Sequence, residues 1–291
     1  MRLAVSFAAA AFALSAAASA TAQTGAAQSW TRHAAEEVRL RDVAGFVVVT
    51  PEDRSDIAMS VVNPGPLPAP ETRITRNRLE VDGKLRRDIR SCRVRENNGF
   101  EVELRRQGRL NASRLPTIYL RVPRNADVTA GGAVRVHMGP TESLRFRIDG
   151  CGDADIERVA GAAEIAVAGA PDVRLYEADR ATISVAGAGD VTAGAIRSGL
   201  TVSIAGAGDF VAAHADGPTS IAVQGAGDVV IREGTASTLS VAIAGSGDVT
   251  HNGAAGRLDA AIVGAGDVRV AQVTGPVTRR ILGSGDVIVG R

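Results

Sequence analysis

Six carboxylates at near-constant spacing are the residues of this chain best suited to chemistry. Asp190, Asp209, Asp228, Asp248, Asp267 and Asp286 each close a Gly-Ala-Gly-Asp or Gly-Ser-Gly-Asp tetrapeptide, and successive members lie 19 or 20 residues apart. Looser copies end at Asp153 and Asp172. A row of carboxylates offers hard oxygen ligands, and Ca2+ is the cation that such a row suits. Ca2+ takes roughly six to eight oxygens, however, and only one carboxylate recurs per repeat. The expected role is therefore structural, each aspartate accepting hydrogen bonds from N–H groups of its own turn. A Ca2+-binding ladder on the same six residues is the alternative.

Other reactive types are sparse. His33, His137, His214 and His251 fall on no metal-ligand spacing, and no nucleophile-elbow motif occurs. No catalytic residue is expected, and no cofactor beyond the Ca2+ alternative. A polysaccharide-active β-helix enzyme, with acids along one groove, is a further alternative. Sugar clefts favour stacking aromatics, and after Asp153 the chain has only Tyr176 and Phe210. Cys92 and Cys151 are the only cysteines. An even count in an oxidising compartment favours a disulfide between them. Cys151 takes the small middle position of its corner, so a buried free thiol is the other reading. Arg86, Arg87, Arg90, Arg93, Arg95, Arg105, Arg106 and Arg109 form a candidate basic patch for anionic glycans or membrane surfaces. Glu101 and Glu103 interleave with them and favour an ordinary solvated face.

The elements that position these residues follow from the columns around the aspartate. Five residues before it stand Ile148, Val167, Val185, Ile204, Val223, Ile243, Ile262 and Ile281. Seven before it stand Ile183, Val202, Ile221 and Val241, and one after it Val191, Phe210, Val229, Val249, Val268 and Val287. Apolar residues two apart mean strands with one buried face. One copy cannot bury that face alone, whereas stacked copies bury it continuously, and a fixed period of this length marks a solenoid. The expected fold class is all-β: a single-stranded parallel β-solenoid, a right-handed β-helix, with coils of about 19 residues spaced about 4.8 Å apart. The glycines are expected where a tight corner needs backbone angles closed to other residues. The small residue between them should pack against its counterparts in adjacent coils. Thr182, Thr201, Ser220 and Ser240, with Ser184, Ser203, Ala222 and Ala242, should point outward. They would form a flat face that is simply solvated, or that docks another solenoid or a regular surface such as ice.

Hydrophobic residues make up 45% of the chain and aromatics only 3%, so the core is built from Val, Ile and Ala and suits thin coils. Net charge is +1, which gives no bulk drive toward nucleic acid. From Trp30 to Asp149 there are 22 basic and 16 acidic residues, and from Gly150 onward 10 and 16, so basic character sits in the first half. Residues 1–22 read as a secretory signal peptide: a positive start, an apolar run to Leu14, and Ala20-Thr21-Ala22 before cleavage at Gln23. Residues 23–35 read as a linker, 36–125 as irregular N-terminal coils capping the solenoid, with a separate small β-domain as the alternative, and 126–291 as the regular solenoid. No later stretch is long enough to span a membrane. The mature chain is thus expected in the periplasm, at the cell surface or outside the cell. The final coil should offer a sheet edge that Arg279, Arg280 and Arg291 blunt. Otherwise end-to-end or homo-oligomeric association would follow.

Leu115-Pro-Thr-Ile-Tyr-Leu-Arg-Val-Pro123, then the Gly131-Gly-Ala strand, then Gly-Ser/Ala-Gly-Asp-Val coils, resemble the head-GIN-domain family of auto-transporter adhesins over about residues 38–291. The resemblance implies a β-helix and surface adhesion, with no catalytic residues to carry over. An auto-transporter route is not part of what the resemblance leads one to expect for this chain. The functional expectation is an exported, non-enzymatic solenoid acting as an adhesin-like or cell-envelope interaction module. Its partner is expected to be a macromolecular surface or glycan, with no nucleic acid involved.

Overall fold

The computed structural model describes residues 29–95 and 99–290. The expected signal peptide, the start of the linker and Arg291 lie outside the described residues. The described chain is all-β, a parallel β-solenoid of about nine turns with coils of about 19 residues. Its strands form one 20-stranded sheet and one three-stranded sheet.

Stacking is residue on residue. Strands Leu200–Gly206, Thr219–Gly225, Leu239–Gly245, Leu258–Gly264 and Val277–Gly283 pair in parallel, so Val202, Ile221, Val241 and Ala260 fall in one column. A second ladder runs through Phe210–Ala215, Val229–Ile231, Val249–Ala255, Val268–Val273 and Val287–Val289. The inward columns are sealed up to the last coil: Ile204, Phe210, Val223 and Val229 have no exposed surface, whereas Val277 and Ile281 of the final coil are exposed.

At the N-terminal end spatial order departs from chain order. Strand Glu37–Glu52 pairs in parallel with Asn125–Met138 on one side and with both Arg78–Asp82 and Thr117–Pro123 on the other. The coil beyond Glu37–Glu52 is therefore built from two later segments. Antiparallel strands lie against that coil: Ile57–Val62 on Thr117–Pro123, Glu71–Thr75 on Arg78–Asp82, and Thr31–His33 on Ile57–Val62. Thr31–His33 is thus a strand within the stretch expected to be linker; the open edge of Ile57–Val62 gives its backbone a pairing partner.

Between Arg78–Asp82 and Thr117–Pro123 the chain inserts a small antiparallel sheet, Ile89–Arg95, Gly99–Leu104 and Gly108–Asn111. Its Phe100, Val102, Leu104 and Leu110 are buried with Ala44 and Ala133 of the coils in a second core. Cys92 of this sheet and Cys151 of a corner form a disulfide, Cα atoms 6.1 Å apart and 59 residues apart in sequence. In the chain-entropy account a loop of that size is worth about 4 kcal/mol. Ala188, Ala207 and Ala226, the counterparts of Cys151 in later coils, are exposed. The middle position therefore points out of the solenoid, not into it as packing in the coil would require, and that direction lets Cys151 reach the inserted sheet.

Both corner glycines are required by close approach, a Cβ on Gly225 falling 2.1 Å from the Gly206 carbonyl oxygen, and the first is required by its backbone angle as well. The first sits at positive φ, 141° at Gly206 and 130° at Gly225, a region that side chains with a Cβ avoid. The second has no such angle. A Cβ on Gly227 would lie 2.1 Å from the carbonyl oxygen of Gly208 one coil earlier, so this glycine is needed for close approach. Gly227→Ala should destabilise the chain by about 3 kcal/mol, whereas Ala226→Ser, on the exposed residue beside it, should stay within about 0.5 kcal/mol. Urea melts of the two variants check this; equal midpoints would remove the close-approach argument.

One inward column carries a histidine. Ala193, Ala212, Ile231, His251 and Val270 stack in register, and His251 is 1% exposed. Its Nε2 donates to the Ala254 carbonyl at 3.1 Å, and its Nδ1 is buried with no partner. Burial pushes its pKa below the usual histidine value, against a smaller raising effect of the Ala254 hydrogen bond. Above the unfolded value near 6.5 both states are neutral. Below it the unfolded chain takes up the proton first, so stability falls as pH drops through that value. His33, also lowered by burial, acts in the same direction. His251→Val should therefore lose less Tm between pH 7.5 and pH 5.5 than the parent; an unchanged slope would show that His251 does not carry the effect.

Candidate functional site

The aspartates stand in one column along an edge of the solenoid. Each carboxylate serves the next coil, not its own turn. Asp190 Oδ1 accepts the N–H of Asp209 at 2.9 Å, and Asp209, Asp228, Asp248 and Asp267 each accept the N–H of the following aspartate at 2.8 Å. The aspartate carbonyl in turn accepts the N–H that follows the aspartate of the preceding coil, as in Phe210 N–H to Asp228 O at 2.9 Å. The corner breaks the regular backbone ladder at the aspartate N–H, and the side chain replaces the missing carbonyl. That donation also offsets the repulsion of carboxylates stacked about 4.8 Å apart.

Arginines bound the column. Arg269 bridges Asp248 Oδ2 at 3.0 Å and Asp267 Oδ2 at 2.6 Å. In the coil before Asp153, Arg135 occupies the aspartate position and lies 3.4 Å from Asp153. Burial pushes the Asp153 carboxyl above the usual carboxylate range, partly opposed by Arg135. Among the described residues no group of three or more His, Cys, Asp or Glu side chains could hold a metal ion. The row places one carboxylate per coil, with Oδ1 engaged from Asp190 through Asp267.

The histidines are not brought together. His251 is inside the coil; His214 bonds Asp216 at 2.8 Å; His137 lies 3.3 Å from Glu157. Of the two late aromatics Phe210 is buried and Tyr176 is 55% exposed, so they form no joint platform. The arginines from Arg86 to Arg109 lie on the inserted sheet and its turns. There Arg93 stands opposite Glu101 and Arg109 opposite Glu103, and Arg106 pairs with Asp88 at 3.1 Å. The side chain of Arg95 lies outside the described residues.

The outward face of the long strands has two zones. From Thr182 through Ser240 it presents exposed Thr, Ser and Ala in register, as the sequence pattern led us to expect. Toward the N-terminal end the same columns turn charged. Arg78, Glu37, Asp127 and Arg145 follow one another across rows, as do Glu80, Arg39, Thr129 and Arg147. Arg78 pairs with Glu37 at 2.7 Å, Arg145 with Asp127 at 3.2 Å and with Glu164 at 3.1 Å, and Arg73 with Glu80. Sequence reading missed this zone because four separated segments build it. The available signal was an arginine on alternate residues of apolar strands, Arg39 and Arg41 around Leu40, Arg145 and Arg147 around Phe146.

Comparison with solved structures places this geometry among known folds. A "putative adhesin" from Parabacteroides distasonis ATCC 8503 aligns over 90% of this chain and 96% of its own, with a TM-score of 0.56 at 12% identity. A second "putative adhesin", from Bacteroides fragilis NCTC 9343, covers 91% and 98% with a TM-score of 0.38 at 14% identity. A "putative lipid binding protein" from Parabacteroides distasonis ATCC 8503 covers 91% and 97% with a TM-score of 0.46 at 12% identity. At these identities the first likeness speaks to the fold alone. No curated protein matches the chain. Residues 193–290, the stretch of regular Gly-x-Gly-Asp coils, match the family described as "Putative auto-transporter adhesin, head GIN domain", the family that the repeat resembles.

Proposed function

We propose that the chain is an exported, non-enzymatic adhesin-like module, a solenoid that presents its outward strand faces to a macromolecular surface of the cell envelope. The observation that carries this reading is the in-register outward face. Side chains repeat along it as continuous columns, so it offers an extended, regular contact area in place of a cleft around a reacting bond. The family match over residues 193–290 and the adhesin name of the structural neighbour with the same fold support it. The Cys92–Cys151 disulfide fits an oxidising compartment, and no helix among the described residues is long and apolar enough to cross a membrane. In this reading the aspartate column is part of the scaffold and needs no Ca2+ to hold the coils.

Two measurements test these statements. Labelled protein passed over immobilised cell-envelope fragments should be retained in a saturable manner; retention no greater than that of serum albumin would end the adhesion reading. Thermal melts in EDTA and then in millimolar Ca2+ should superimpose. A large upward shift with Ca2+ would instead make the six aspartates a ligand array.

A further inference from the structure

The charged zone of the outward face contains a groove. Its floor is strand Asn125–Met138, which presents Thr129 between Arg39 and Arg147 of the neighbouring rows, while the Asp149 carboxylate lies over the buried Gly131. Two adjoining cavities of about 620 and 390 Å3 share Arg39 and Asp149 and lie along it. Five floor residues from Asp127 to Gly131 make the groove about 13 Å long, and the walls stand two strand spacings apart, about 10 Å.

Six arginines and four carboxylates line the two cavities. Arg78, Arg145 and Arg147 are engaged with neighbouring carboxylates. Arg39, Arg41 and Arg86 are different: among the described residues none has a carboxylate within ion-pair distance, yet all three face the smaller cavity. Asp42 and Asp149 line that cavity with them, and burial pushes the Asp149 carboxyl up against the lowering effect of Arg39. Three unpaired guanidiniums around one cavity repel one another and suit a planar or tetrahedral oxyanion, which a guanidinium fork holds with two hydrogen bonds.

We propose that this groove binds a linear anionic polysaccharide, its carboxylate or sulfate groups on Arg39, Arg41 and Arg86 and its hydroxyls on Thr129, Asp127 and Asp149. The alternation of cations and acceptors selects the ligand class. A sugar chain offers anions and hydroxyl donors in alternation, whereas a phosphate backbone or an anionic membrane would meet the carboxylates as repulsion. The inference rests on the adhesion reading for its biological setting and names the ligand class of one face.

The test is equilibrium binding of the full chain to dextran sulfate, polygalacturonate and neutral dextran, and to phosphatidylserine vesicles. Binding to either anionic polymer, weakened by salt and absent for neutral dextran, is expected, and the preferred polymer tells sulfate from carboxylate. The double variant R39Q/R86Q should bind about tenfold or more weakly. R158Q/R197Q, with the same charge change at the Glu177 pairs away from the groove, should bind as the parent does. Thr129→Phe, which fills the floor without changing charge, should weaken binding as well. The inference is overturned by no binding to either anionic polymer, by equal loss in both double variants, or by binding to vesicles alone. Because purified polymers are used, each of these outcomes leaves the envelope-retention result standing, so the two readings fail separately.

Discussion

Every feature of this solenoid depends on one close approach of backbone to backbone. At each Gly-x-Gly-Asp corner the carbonyl of one coil occupies the space that a Cβ of the next would need. Both glycines let the coils meet, and the first also turns the chain at positive φ. With the backbones this near, the aspartate N–H lies beneath the carboxylate of the coil before, and the relay of side-chain acceptors follows. The corner therefore sets the register of both flanking ladders, and a shift of one residue would turn every Val and Ile of the inward columns out to solvent.

Fixed register makes the surface one-dimensional. A residue at a given place in the repeat becomes a stripe along the rod, so the chemistry of a face is decided column by column. The outward columns are small and uncharged from Thr182 to Ala242, carry Asp259 and Arg280 in the last two coils, and are densely charged toward the N-terminal end. Ion pairs cross the rows, Arg145 with Asp127 between consecutive coils and Arg78 with Glu37 between segments 41 residues apart. Half-exposed pairs of this kind add little stability each; their larger consequence is a surface with defined positions for charge.

The repeat made the solenoid legible in the sequence, because a column of β-branched residues five before each aspartate admits only a stacked, inward-facing strand. Cys92 and Cys151 were legible as a pair by count, but the outward direction of Cys151 was not. It depends on the middle corner residue pointing away from the coil, which composition alone does not reveal. The acceptor role of the aspartates was legible and its partner was not: an Asx turn and a bond to the next coil use the same residue, and only stacking distance decides between them. The insertion of Glu37–Glu52 between later segments was hidden as well, since residues 36–125 lack a period. The arginine groove was hidden with it. Arg39 and Arg147 are ordinary strand-face residues until Thr129 is known to lie between them.

The inserted sheet joins the two halves of this account. Three short antiparallel strands with Phe100, Val102, Leu104 and Leu110 as their core bury little surface, and so small a sheet is marginal unless it docks on something larger. It docks on the corner column, where Ala44 and Ala133 are small enough to admit it, and the disulfide to Cys151 closes that contact. The segment leading into the sheet carries Arg86, anchored on either side by Leu85 and Ile89 in the second core. The position of Arg86 over the groove is thus set by the same docking that the disulfide secures. In a reducing compartment the sheet would lose that staple, and the least firmly held wall of the groove would loosen with it. Oxidative folding and the ligand-binding face are, in this structure, one physical problem.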